Sequence, residues 1–128
     1  MKRRNKIKVL AIDDDEEALE ITVARLEVLG YEVVSTQDGV EGISLVRREN
    51  PDIILLDIMM PKIDGFSVCK ILKEDNALKS IPVILLTSKE LINDVEKGFA
   101  SGADDYVIKP VDWDRLVAKI DKLMSEKK

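Results

Sequence analysis

Three stretches of four residues are wholly apolar: Val9-Leu10-Ala11-Ile12, Ile53-Ile54-Leu55-Leu56 and Val83-Ile84-Leu85-Leu86. Each is short, rich in branched side chains and followed at once by a polar residue. Such runs predict strands buried on both faces, as in a parallel sheet covered by helices. Two weaker strands, Tyr31 to Thr36 and Asp105 to Ile108, carry the polar interruptions that suit sheet edges. Helix-length segments lie between the strands. Asp15-Glu16-Glu17 opens one that ends at Gly30, a position typical of a glycine that closes a helix. Asp38 starts the second, with Pro51 beyond its end, and Asp64-Gly65 starts the third. The fourth runs from about Glu90 to Ser101, with Leu91, Ile92, Val95 and Phe99 as a core-facing stripe. Gly98 inside it lowers helix propensity by about 1 kcal/mol and predicts a comparatively loose element. The last helix begins near Asp112 and places Trp113, Leu116, Val117, Ile120 and Met124 on one face.

Five strand–helix units in 128 residues predict one α/β domain: a doubly wound, flavodoxin-like, five-stranded parallel sheet with helices on both faces. All four prolines (Pro51, Pro61, Pro82, Pro110) fall at strand borders, where they break neither a ladder nor a helix. Right-handed crossovers with strands two and five at the edges give the order 2-1-3-4-5. The chain reverses across the sheet between strands one and three, and ligands of such sheets bind there, beyond the carboxyl ends of the strands.

Composition narrows the chemistry. No apolar run approaches the ~20 residues of a membrane helix, and the N-terminus lacks a secretory core, so a cytoplasmic location is expected. Cys69 is the only cysteine, which excludes an internal disulfide and a multi-cysteine zinc site. The chain has no histidine, which removes Ser-His-Asp and Cys-His catalysis and imidazole metal ligands. The net charge is −5, yet Lys2, Arg3, Arg4, Lys6 and Lys8 crowd the start, so the remainder is more acidic still. Residues 1–6 are read as a flexible basic tail, 7–125 as the domain and 126–128 as a C-terminal tail. A body this acidic disfavours nucleic acid.

The carboxyl edge collects the polar residues. The first strand ends in Asp13-Asp14-Asp15, the third in Asp57, the fourth in Thr87-Ser88 and the fifth in Lys109-Pro110. Asp or Thr after a strand is often only a helix cap, and Asp15 fits that role. Several acids brought together need a counter-charge, and Mg²⁺ binds one or two carboxylates together with waters and a phosphate oxygen.

These segments, with Asp52-Ile53-Ile54-Leu55-Leu56-Asp57-Ile58-Met59-Met60-Pro61 and Gly102-Ala103-Asp104-Asp105-Tyr106-Val107-Ile108-Lys109-Pro110, resemble the response-regulator receiver domain of two-component signalling over about residues 7–125. The resemblance implies that Asp57 is the phosphoacceptor. Asp13 and Asp14 would be the metal-binding acid pair and Met59 the donor of a backbone carbonyl to Mg²⁺, for which Mn²⁺ can substitute. Thr87 would be the switch hydroxyl, Lys109 the phosphate-binding lysine with a cis bond to Pro110, and Tyr106 the aromatic that follows the switch. It implies a sensor histidine kinase or phosphotransfer protein as donor, a change on the surface of the fourth helix, fifth strand and fifth helix, and a downstream protein target or effector domain. A phosphorylation-dependent homodimer is a further implied partner. Met59 and Lys89 would flank the line of water attack and lengthen the life of an aspartyl phosphate. Two other readings compete: an aspartyl-nucleophile phosphatase or phosphotransferase, which usually needs an acid where Met59 stands, and a receiver-like binding module that is never phosphorylated. The domain is either stand-alone or part of a longer regulator.

Overall fold

A computed structural model describes residues 6–88 and 95–126. Among the described residues, five strands and five helices alternate. They are β1 (Lys8–Ile12), α1 (Glu16–Val28), β2 (Glu32–Thr36), α2 (Gly39–Glu49) and β3 (Ile53–Asp57), followed by α3 (Gly65–Glu74), β4 (Val83–Thr87), α4 (Val95–Ala100), β5 (Asp105–Ile108) and α5 (Trp113–Ser125). The sheet is parallel with order β2-β1-β3-β4-β5, the predicted arrangement.

The three apolar runs are the three central strands because only there are both faces covered. Leu10, Ile12, Ile54, Leu56, Val83 and Leu85 point to the side of α2 and α3. Val9, Ile53, Leu55, Ile84, Leu86 and Val107 point the other way, onto Leu26 of α1 and Leu116 and Ile120 of α5. This period-two alternation fixes the face of every residue at the strand ends.

The helix starts follow the sequence closely. Asp15, Asp38, Asp64 and Asp112 each accept a hydrogen bond from a backbone N–H in the first turn of α1, α2, α3 and α5. At the end of α1, Gly30 donates to the Glu27 carbonyl and Tyr31 to that of Leu26, a Schellman closure around a glycine at φ +101°.

The fourth helix differs from expectation. Its described part is Val95–Ala100, and Leu91 and Ile92 lie outside the described residues. Phe99 is half exposed rather than core, its ring edge-on to Tyr106 with centroids 6.2 Å apart. Gly98 also has a packing reason: a Cβ there would stand 2.9 Å from Leu85 Cδ1 and 3.4 Å from the Phe66 ring. The glycine lets α4 lie flat on β4 and α3. Among the described residues no helix is long and apolar enough to cross a membrane.

Candidate functional site

The strand ladders continue one step past the strands at the carboxyl edge: Asp13 N–H donates to Thr36, Ile58 N–H to Leu86 and Lys109 N–H to Thr87. Side-chain alternation therefore extends to these residues. Asp13, Asp57 and Lys109 share the parity of Val9, Leu55 and Val107 and fall on the α1/α5 face, whereas Thr87 and Tyr106 share that of Leu85 and fall on the other.

The first three meet. Lys109 Nζ donates to Asp57 Oδ1 at 3.0 Å and to Asp13 Oδ2 at 3.1 Å. Asp14 completes the acid group: one oxygen from each of Asp13, Asp14 and Asp57 lies within 4.8 Å of the others. Asp13 and Asp57 are buried, and the backbone N–H of Asp15 ties down the other oxygen of Asp13. Burial pushes the Asp57 carboxyl up from 3.8 to about 6; the Asp13 charge adds to this, and Lys109 offsets only part of it. Burial opposes the Lys109 charge as well, but its bonds and proximity to Asp57 and Asp13 outweigh this and raise its pKa. Three hard oxygen donors at one point suit a divalent cation of the Mg²⁺ or Mn²⁺ type and offer nothing to a soft metal. Lys109 is thus the internal counter-ion of a buried acid pair.

The loop after Asp57 is tightly built. Gly65 N–H donates to the Ile58 carbonyl, and a Cβ on Gly65 would sit 2.4 Å from the Asp57 carbonyl oxygen. The start of α3 therefore presses on the Asp57 peptide. Ile63 N–H reaches back to the Pro61 carbonyl at 2.7 Å around Lys62 at φ +70°, a γ-turn of the rare, strained hand. The sequence marked Asp64-Gly65 only as a helix start; the approach of Gly65 to Asp57 carries no local signal.

Thr87 is buried at the end of β4, one position past the Asp57 partner Leu86, and its hydroxyl donates to the Ser88 carbonyl at 3.3 Å. Tyr106 pairs with Leu85, so Thr87 and Tyr106 are diagonal neighbours on one face. Lys119 Nζ bonds Asp105 at 2.9 Å and stands 5.6 Å from the centre of the Tyr106 ring. The Lys109–Pro110 bond is cis. Met59 is 65% exposed, whereas Met60 packs against the core. Lys89 lies outside the described residues.

Residues 9–121 match the response regulator receiver domain family. The chain belongs to that family. The receiver is 42% identical over 91% of its length to the DNA-binding dual master transcriptional regulator RpaA of a Synechocystis species, of which the match covers 48%. It is 40% identical over 91% of its length to the response regulator PleD of Caulobacter vibrioides, with 26% of that protein covered. The chain spans about half the length, or less, of such curated relatives. The receiver domain of the Francisella response regulator 1452 superposes with a TM-score of 0.87 at 34% identity, over 96% of this chain and all of that one. Vibrio cholerae chemotaxis protein CheY4 does so with a TM-score of 0.85 at 28% identity, covering 92% and 98%.

Proposed function

We propose that this receiver takes a phosphoryl group from a sensor histidine kinase or phosphotransfer protein onto Asp57 and passes the change to a protein target or effector domain. The observation that carries the reading is the convergence of Asp13 and Asp57 on Lys109 Nζ, with Asp14 in the same acid cluster. An Asp57 oxygen forms the new P–O bond while the donor's P–N bond breaks and its nitrogen keeps the electron pair. Asp13, Asp14, Asp57 and the Met59 backbone carbonyl would hold Mg²⁺, or Mn²⁺ in its place. The ion, when bound, neutralises charge on the phosphoryl oxygens. Lys109 anchors one phosphoryl oxygen, and the Thr87 hydroxyl, leaving Ser88, answers another. Charge neutralisation is a large part of what phosphoryl transfer requires of a protein, and the Lys109 ammonium beside the acid cluster supports that reading.

The Thr87 shift is read by its diagonal neighbour Tyr106 and so by the α4-β5-α5 surface, which is the place for a target, an effector domain or a second phosphorylated copy. The domain itself is taken as residues 7–125, in the cytoplasm, with no nucleic-acid role for its acidic body. A phosphatase that uses Asp57 as nucleophile is disfavoured by Met59, which has no proton to give a leaving group. Intact-mass analysis with a small phosphodonor and Mg²⁺ tests the proposal. One phosphoryl group is expected on the wild type and none on Asp57→Asn or in excess chelator. Turnover of the donor without a stable label overturns it in favour of an enzyme, and neither label nor turnover in favour of a binding module.

A further inference from the structure

The edge of the sheet opposite the acidic site holds a second cluster of charged side chains, which the phosphoacceptor reading leaves unused. Lys73, in the last turn of α3, is largely buried, and its ammonium donates to three acceptors: the carbonyls of Lys79 at 3.1 Å and Ile81 at 2.8 Å, and Asp104 Oδ2 at 2.9 Å. That uses all three of its N–H groups. The same Asp104 oxygen accepts Val83 N–H at 2.8 Å, while Asp104 N–H donates to the Val83 carbonyl at 2.9 Å. One lysine therefore ties the end of α3, the approach to β4 and the entry to β5 into a single knot.

The knot is built directly onto the end of α4. Ala103 N–H donates to the Gly98 carbonyl and Gly102 N–H to that of Phe99, a Schellman closure with Gly102 at φ +99°. Gly102 passes over the aliphatic stem of Lys73 so closely that a Cβ would stand 2.7 Å from Lys73 Cγ. Ser101 ties back to Gly98 as well, through both its N–H and its hydroxyl. The C-terminal end of α4 is thus capped, seated on Lys73 and continued into the residue that Lys73 binds.

We infer that Lys73 is a positioning residue for signal output: it fixes residues 101–104 as the pivot about which α4 rearranges. This deepens the proposed function and rests on it. Lys73 takes no part in the chemistry at Asp57, since β4, from Val83 to Thr87, separates the two edges by roughly 13 Å at about 3.3 Å per residue. A helix held at one end converts a shift at Thr87 into movement of its body and of the Phe99–Tyr106 ring pair. If that end is free, the same shift is absorbed by fraying of the α4–β5 junction.

The test uses Lys73→Met, which keeps the stem under Gly102 and removes the ammonium, with Lys73→Arg as the conservative rescue. Amide hydrogen exchange is read with no phosphodonor present, and the beryllofluoride response of Phe99 and Tyr106 is read by NMR. For Lys73→Met we expect wild-type labelling of Asp57 and exchange at 98–104 faster by roughly tenfold or more, with α1 and α2 unchanged. The Tyr106 shift should be cut by about half or more, and Lys73→Arg should recover much of it. Uniformly faster exchange with a full-sized Tyr106 response means a merely structural lysine and overturns the inference. So does wild-type behaviour throughout. If Lys73→Met does not fold, Asp104→Asn, which retains an acceptor for Val83 N–H, is read by the same criteria. Failure of wild-type protein to label strikes the phosphoacceptor reading instead, and the exchange arm still decides whether the knot governs α4.

Discussion

The ionised carboxylate of Asp57 is held in place against burial and against the charge of Asp13, with Lys109 as partial compensation. Its folded pKa is raised, so the stabilising contribution belongs to the protonated form. It is fully present below the ordinary carboxylate value of 3.8 and is lost as pH rises through about 6. That rise is worth at most roughly 3 kcal/mol, and solvent screening at the partly exposed Lys109 and Asp14 reduces it to about 1–2 kcal/mol. Metal-free Asp57→Asn should therefore match wild type near pH 4 and exceed it by about 1–2 kcal/mol above pH 7. Urea titrations across that range check it, and a constant difference would show that the Asp57 charge is not the cause. Saturating Mg²⁺ should raise the wild-type midpoint and leave that of Asp57→Asn much less changed. Gly65 gives a second prediction at this scale. The atoms that a new Cβ would meet are backbone and cannot turn aside, so Gly65→Ala should cost about 2–4 kcal/mol and displace Asp57, lowering its labelling by phosphodonor. Denaturation and intact mass on the same sample check both halves.

Among the elements, α4 separates propensity from packing. Helix propensity alone makes Gly98→Ala stabilising by about 1 kcal/mol. The Cβ would press Leu85 Cδ1 in a filled core, beside the Phe66 ring over which Lys97 stands at 5.1 Å. We expect a net loss of about 1 kcal/mol, largely recovered when Leu85→Val removes a methylene group's worth of bulk. A double-mutant cycle in urea measures that coupling; additive effects would mean the two positions do not touch. Helix α3 supplies a further test. Cys69 is fully buried on its inner face, and burial raises the thiol pKa, so the reactive thiolate is scarce until the fold opens. Modification of Cys69 by a thiol reagent should follow unfolding of the domain, with a native-state rate far below that of the urea-unfolded chain. A reaction equally fast in both would place the thiol at the surface.

In the whole molecule, one parallel sheet sends two sets of polar side chains to its two faces. The acids and Lys109 stand on the α1/α5 side, and Thr87 and Tyr106 on the α3/α4 side, so the two sets adjoin at the carboxyl ends of the strands. Much of this was legible in the sequence because it depends on local regularities. Four-residue apolar runs specify strands buried on both faces, and aspartates at positions 15, 38, 64 and 112 specify helix starts. Edge and centre follow from which strands tolerate polar residues, and the position of Asp57 after a central strand follows from the same run. The tertiary structure alone decided the rest, since it arises from residues far apart in the chain. Lys109 reaching both Asp13 and Asp57, Gly65 pressing on the Asp57 carbonyl and Lys73 gathering Lys79, Ile81 and Asp104 are contacts between separate elements. Phe99 lay half exposed and Gly98 tightly packed for the same reason. The helical stripe records spacing along one element, while burial depends on how closely the neighbouring strand and helix approach it.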